Sequence, residues 1–598
     1  MSAIHGIIDI TPGKAAEFKS QTVYRRDKWT IIADSSFYKE SGSSEEIMGR
    51  LLDSWLKKGV DFVKELYGDF AFVIHNCETG EIFCARDHFG VRPFFYSFSE
   101  NRFIFGSLLK SVVFVMENKP QGRHEYMLNS LVTDIEEKDL TPFENIYRLK
   151  PGHYIHYRNR QTMIRSYWQL DPTKRIILKN ETEYAELLRE KLVNSVNMRC
   201  RGVDRPGSEL SGGLDSSAVT GIAARYCKEN QTTLHAYSNV FPQGTDMEFK
   251  DEREFIEVMK EFTGFCWTAI DRLSMSIPEL LQYVIEMQGC YIQQNFSILC
   301  DALYQAAGKD QVQVLLSGFG GDEMISARTS VQWNELISNR QWKILREELF
   351  YKGITLRSLA KAAVLPLQHV RSLLKKPRFT SGVFTKELLD KRFSNLPLQP
   401  EFARANDLRK RLGDQYVREK RDNLVMRQID KIMHPHLPQR LEYCYAAAAQ
   451  YGIEYRYPLL DVDLVETYLA FPSWMKQHKG INRYIFRQAI KGFVPEEIRN
   501  RNDKSGSTIP QTFYSLAKEG DQILEVVREA AGSPFLNEVF DLSKFKPWYD
   551  KLVKRAPEDQ NYLMPGAFYT YLMMILYYSR VTIPGDDNSS VTIPGDLI

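Results

Sequence analysis

Seven consecutive residues, Ser211-Gly212-Gly213-Leu214-Asp215-Ser216-Ser217, constrain this chain more than any other stretch. They follow Gly207-Ser208-Glu209-Leu210 and lead into Ala218-Val219-Thr220-Gly221-Ile222-Ala223-Ala224, a run of small and apolar residues that reads as a helix. Paired glycines let a backbone approach an oxyanion closely, and the serines and the aspartate are candidates to cap the first amides of the helix. Those amides and the helix dipole together favour a phosphate group. No Gly-Lys-Ser/Thr follows, so this is not a Walker A loop.

The motif as a whole resembles the pyrophosphate-binding loop of the N-type ATP pyrophosphatases, specifically that of the asparagine synthetase family. The resemblance implies an enzyme that splits ATP into AMP and pyrophosphate, with Asp215 holding Mg²⁺. A second motif follows the apolar strand Val312-Gln313-Val314-Leu315-Leu316: Ser317-Gly318-Phe319-Gly320-Gly321-Asp322-Glu323 is similar to the family's SGEGxDE. By this resemblance Leu210, Ser211, Gly212, Gly213, Asp215, Ser216, Ser217, Val240, Ser317 and Gly318 bind ATP, and Asp322 is the second Mg²⁺ carboxylate. Mg²⁺ is suited by one or two carboxylates plus phosphate oxygens. Further on, Arg440-Leu441-Glu442 and the stretch from Gly452 to Asp461 resemble later family segments, and Lys504 falls where the family has a catalytic lysine beside the acyl-adenylate. An ammonium there would stabilise charge developing on the reacting carboxyl and phosphate oxygens.

The first 170 residues are rich in strand patterns. Residues 2–10 alternate, residues 68–74 and 81–87 read as paired strands, and residues 94–96 and 102–107 continue the pattern, while a helix is expected over 44–58. The order Gly68-Asp69-Phe70-Ala71-Phe72, Ala85-Arg86-Asp87-His88-Phe89-Gly90-Val91-Arg92-Pro93, Phe105-Gly106-Ser107 and Tyr147-Arg148-Leu149-Lys150-Pro151-Gly152 resembles the family's class II glutamine amidotransferase domain, of the N-terminal-nucleophile fold. Working members require a cysteine directly after the initiator Met. This chain has Ser2 there, its first cysteine is Cys77, and the family's Asn-Gly-Glu glutamine-binding stretch is absent from 25–45. A hydroxyl beside a free amine is a possible nucleophile, but with the pocket motif missing as well, the domain reads as vestigial.

The character turns helical near Ser166-Tyr167-Trp168, with a helix over 182–199 capped by Thr182 and a further parallel strand from His235 to Phe241. Alternating strands and helices argue for a doubly wound sheet with its ligand crevice at the strand C-terminal ends. The expected fold is an α+β sandwich over 1–170, then an α/β doubly wound synthetase domain, adenine nucleotide alpha hydrolase-like, over 171–580. The latter holds a basic helical insert at about 326–440. Between Arg340 and Arg378 ten basic residues face only Glu347 and Glu348. Such a face suits an acidic peptide, a partner protein, an anionic membrane surface or plain solvent. Residues 581–598 repeat Val-Thr-Ile-Pro-Gly-Asp and read as a disordered tail.

Composition excludes little more. A formal net charge of +2 implies no nucleic-acid partner. Eight scattered cysteines suit free thiols in a reducing cytoplasm, His434-Pro435-His436 reads as a loop rather than a metal site, and neither a secretion signal nor a membrane span is apparent.

The departures from the family narrow the reading. Where asparagine synthetases carry Glu and β-lactam synthetases Tyr, this chain has Phe319, which neither accepts a proton nor hydrogen-bonds an amine. With the degenerate glutaminase half and the basic insert, this resembles the lasso-peptide macrolactam synthetases. Their substrate is a precursor peptide whose Asp or Glu side chain is adenylated and attacked by its own N-terminal amine, with a leader-binding protein and a leader peptidase alongside. Asparagine synthesis from free ammonia, β-lactam-type ring closure and a non-catalytic binding role are the alternatives.

Overall fold

The computed structural model describes residues 3–11, 16–19, 23–132, 139–245, 251–293, 300–326, 333–374, 380–381, 386–416, 419–420, 424–501, 510–554 and 565–580. Ser2, Lys504, the tail 581–598 and the side chains of Arg371, Lys375, Lys376 and Arg378 lie outside the described residues.

Period-two alternation builds the first half. A five-stranded antiparallel sheet runs in the order Ala16–Lys19, His5–Asp9, Arg102–Gly106, Phe95–Phe98, Tyr147–Arg148. A six-stranded one runs Gln161–Ser166, His153–Arg158, Glu81–Arg86, Gly68–Asn76, Trp29–Phe37, Val23–Arg26. Ile32, Ala71 and Val73 turn from the six-stranded sheet toward Ile8, Phe103 and Phe105 of the other. Their neighbours Ile31, Ala33, Phe70 and Phe72 face the opposite way, onto Leu51, Leu52 and Trp55 of the helix Ser44–Lys58. Successive side chains on a strand point to opposite faces, so one sheet serves two cores. The helix is held by a capping box, Ser43 with Glu46.

A five-stranded parallel sheet follows, in the order Cys266–Ile270, His235–Asn239, Pro206–Glu209, Val314–Leu316, Glu454–Arg456. Chain order reverses between Pro206–Glu209 and Val314–Leu316, and the crevice at such a switch point is where open α/β sheets bind ligands. The helix Glu181–Cys200 packs across this region, and its N-cap is Asn180, not Thr182: the Asn180 side chain accepts the Glu183 N–H and leaves Thr182 inside the first turn. The segment from Leu572 to Leu576 lies within the buried helix Pro565–Arg580. His434-Pro435-His436 is a helix entry rather than a free loop, with Pro435 as N-cap of His436–Ala449 and the two imidazole Nδ1 atoms 2.8 Å apart. All eight cysteines are free, and no described helix is long and apolar enough to cross a membrane.

Buried ion pairs join the antiparallel sheets to the parallel one. Glu442 accepts from Arg86 (3.2 Å) and Arg148 (2.7 Å). Glu454 accepts from Ser36 (2.7 Å), Arg92 and Arg456 (2.8 Å), and these guanidinium groups hold its carboxyl far below the usual range against the opposing effect of burial. Arg199 meets Asp461 at 3.0 Å and Asp69 at 3.7 Å, while Tyr445 donates to Asp34 (2.6 Å). The cavity left along this seam, beside Asp69, His88 and Arg199, is about 10 Å³, space for one water.

Two stability measurements test this packing. Glu442→Ala leaves two buried guanidinium groups without their carboxylate and should cost about 3–5 kcal/mol in denaturant unfolding; a loss below about 1 kcal/mol would mean the seam does not bear on folding. Lys476 is buried with its ammonium donating to the Leu469 carbonyl (3.0 Å) and Gln428 (3.3 Å), and burial pushes its pKa down to about 7. The unfolded chain therefore binds a proton that the folded one lacks between about pH 7 and the ordinary lysine value near 10, so this residue's contribution rises with pH across that window. Lys476→Met should raise the melting temperature at pH 6, with the gain shrinking by pH 10.

Candidate active site

Two strand ends meet at the switch point. Pro206–Glu209 runs into Leu210 and Ser211, and the helix Leu214–Glu229 starts with Gly213 as N-cap. The N-cap is a glycine, which offers no capping side chain to the first amides, where the sequence suggested a serine or the aspartate. Ser216 instead folds back, donating to the Gly213 carbonyl (3.2 Å) and accepting from the Ser211 N–H (3.1 Å). Gly212 sits at φ +75°, and a Cβ there would lie 2.7 Å from Glu252.

The second loop leaves Val314–Leu316 and lies directly on the first. A Cβ on Gly318 would come within 2.6 Å of the Ser216 nitrogen, and one on Gly321 within 2.4 Å of the Asp215 carboxyl carbon. Only hydrogen fits at either place. The contact brings the carboxylates of Asp215 and Asp322 to one guanidinium: Arg483 Nη1 donates to Asp215 Oδ2 at 3.3 Å and Nη2 to Asp322.

Leu210, Ser211, Gly213, Asp215, Ser216, Ser317, Gly318 and Asp322 all line a cavity of about 450 Å³. Gly212, Ser217 and Val240 do not line it; Gly212 backs the loop against Glu252, and Ser217 and Val240 are fully buried behind it. Phe319 lines the cavity too, its ring covered by the Arg440 guanidinium at 3.9 Å and edge-on to Tyr457 at 6.2 Å.

Several wall residues were not expected from the sequence. Glu209, the last residue of its strand, accepts from the Ser317 hydroxyl (2.8 Å), whose oxygen in turn accepts the Phe319 N–H (3.1 Å). Arg440, Arg483, Arg487 and Arg501 also reach the wall, and Arg501 is anchored by Glu252 (2.8 Å) against the Phe255 ring. Glu209 stands two residues before the motif, and Arg483 lies between the Gly452–Asp461 stretch and Lys504. The pairing of either with a residue more than a hundred positions away has no local signature. Cys300 lines the cavity as a thiol, since burial pushes its pKa well above the ordinary range.

Chemically, uncapped amides and clustered guanidinium groups fit a polyphosphate. The Asp215–Asp322 pair, bridged here by a cationic stand-in, fits a hard divalent ion. Among the described residues no three His, Cys, Asp or Glu side chains form a ready cage, so such an ion would take its other ligands from phosphate and water.

A sequence model of the asparagine synthase family matches residues 187–575, and one of the glutamine amidotransferase domain matches 36–168. The chain belongs to the asparagine synthase family. The asparagine synthetase [glutamine-hydrolyzing] 3 of Bacillus subtilis (strain 168) is 24% identical over 589 residues, covering 92% of this chain and 88% of that one. A putative asparagine synthetase [glutamine-hydrolyzing] 2 of Methanocaldococcus jannaschii is 31% identical over 48% of this chain and 54% of its own. Amidase chry2 of Gibberella zeae is 31% identical over 34% of this chain and 32% of its own. Members of this family use ATP.

The stand-in role of Arg483 is testable. Arg483→Gln removes the guanidinium that bridges Asp215 and Asp322, so Mn²⁺ should bind the nucleotide-free protein about tenfold more tightly, about 1.4 kcal/mol, by calorimetry. Weaker Mn²⁺ binding would show that the guanidinium supports the ion instead of substituting for it.

Proposed function

We propose that this protein is an AMP-forming carbon–nitrogen ligase that closes a macrolactam ring in a lasso precursor peptide. The observation that carries the ligase reading is the convergence of Asp215 and Asp322 beside the uncapped helix Leu214–Glu229 in one cavity. A substrate carboxylate oxygen attacks the α-phosphorus of ATP, and pyrophosphate leaves. The amine nitrogen then attacks the acyl carbon, the bond to AMP breaks, and the amine gives up its proton. Asp215 and Asp322 would hold Mg²⁺, which when bound would neutralise charge at the phosphates. Ser211, Gly213, Ser216, Ser317 and Gly318 cradle the nucleotide, and Lys504 serves the acyl-adenylate. Adenylation makes a poor acyl donor reactive, so the protein's task is positioning and charge stabilisation.

Phe319 supports the peptide reading. With its ring under Arg440, the loop offers a cation and an apolar face where asparagine synthetases offer a carboxylate. Glu209 is the wall carboxylate tied to this loop through Ser317, and it is assigned the amine's proton. The seam supports a structural role for the amidotransferase-like half, since the motif residues Asp69, Arg86 and Arg92 are spent on buried contacts with the synthetase half. The proposed division falls at residue 170, and the cytoplasm is the proposed compartment. A precursor peptide is the proposed substrate, with a leader-binding protein and a leader peptidase as partners. The second reading is asparagine synthesis from free ammonia; the names of the relatives favour the asparagine product, although they give glutamine as the nitrogen source.

Purified protein given ATP, Mg²⁺, aspartate and ammonia should bind ATP but release no asparagine. Co-expression with a candidate precursor should yield a product lighter by one water, absent with Asp215→Ala. Asparagine release would instead establish the second reading, and failure to bind ATP would overturn both.

A further inference from the structure

The insert carries an unpartnered face that the ligase reading does not use. In the helix Leu356–Leu374, Leu365 is buried and Ser358 and Ala362 are half-buried, so the helix already has one face turned to the protein. At 100° per residue, Leu356, Leu359, Ala360, Ala363 and Val364 form a second apolar stripe on the other side. That stripe is bare: Leu356 is 88% exposed, Leu359 48% and Val364 45%, and Ile354 just ahead of the helix is 76% exposed. Arg357 and Lys361 border one edge of it on the helical wheel. Clustered exposed apolar residues with polar borders mark interaction sites.

The charge around the stripe is one-sided for a structural reason. Residues 340–366 hold six basic side chains and only Glu347 and Glu348. Both acids are turned toward the hairpin Gln477–His478/Ile481–Asn482. Glu348 is buried, accepting the Lys479 N–H (2.6 Å) and facing His478 Nδ1 (2.9 Å), and Glu347 pairs with the Lys479 ammonium (3.1 Å). Arg346, Lys352 and Arg357 are exposed.

The patch also borders the candidate active site. The Tyr351 ring lies against Gly480, whose missing Cβ would sit 2.8 Å from the tyrosine hydroxyl, and Gly480, Asn482 and Arg483 of the same turn line the nucleotide cavity. A membrane-binding face has no need to adjoin a nucleotide cavity, whereas a surface for the remainder of a polypeptide substrate does.

We infer that the basic–apolar face of residues 342–364 is the docking surface for the non-reacting part of the substrate polypeptide, a segment apolar on one side and acidic along its flanks. This rests on the ligase reading of the adjoining cavity. Apolar burial would supply contact area, and the arginines and lysines would select acidic over basic segments.

The test uses the full chain and a fluorescein-labelled synthetic peptide with leucines at helical spacing and glutamates elsewhere, alongside the same peptide with lysine for glutamate. Fluorescence anisotropy should show saturable binding of the acidic peptide only. The triple variant Arg357→Glu, Leu359→Ser, Val364→Ser should weaken it about tenfold or more, while calorimetry shows ATP binding unchanged. The single variant Arg346→Glu, on the neighbouring helix Trp342–Phe350, should weaken it in the same direction. Wild-type protein that binds ATP but not the acidic peptide overturns the docking surface and leaves the ligase reading standing. Equal binding by the triple variant overturns it as well, as does capture by phosphatidylserine-containing vesicles without peptide binding. Protein that binds the peptide at this face but not ATP overturns the ligase reading, and with it the assignment of the peptide as substrate.

Discussion

Two hydrogen atoms, in place of side chains at Gly318 and Gly321, decide how closely the two central strand ends of the parallel sheet approach. With the loops in backbone contact, Asp215 and Asp322 come within reach of one cation although long stretches of helix and strand separate them in the chain. Any larger residue at either glycine would have to push the second loop away from the start of the helix Leu214–Glu229. The uncapped amides, the paired carboxylates and the serines are useful only together, so the whole chemistry of the cavity hangs on this contact.

The second organising feature is electrostatic and lies away from the cavity. Charged residues in family-like stretches, Arg86, Arg92, Glu442, Glu454, Arg456 and Asp461, sit at the seam between the antiparallel sheets and the parallel one. Their pairing is close and largely dry. A buried pair is not in itself strong evidence of added stability, because desolvation opposes the Coulomb attraction. What it does impose is mutual dependence: remove one partner and the other is left charged in a place where water cannot reach it.

The sequence made the fold class legible because alternation and glycine punctuation are local. Strands over 68–76 and 81–86 and the helix Ser44–Lys58 follow from such patterns. Local rules failed where two local candidates competed, as at Asn180 and Thr182. At the site, the motif residues at the loops were legible and the arginines were not. Arg440, Arg483 and Arg501 are ordinary basic residues until the sheet brings them beside Phe319, Asp322 and Glu252. Charge counting over the insert showed the excess of basic residues, but not that both glutamates face inward.

The seam bears on how such a chain can change over generations. The two halves of a chain joined end to end would ordinarily be free to change independently, since surface loops and linkers tolerate insertion and deletion. Here the arginines and aspartates of the N-terminal half are the counter-ions of Glu442, Glu454 and Arg199 in the other half. Trimming it would strand charges inside the part that does the chemistry. The N-terminal half is thereby locked in place, and inheritance must carry the two halves together.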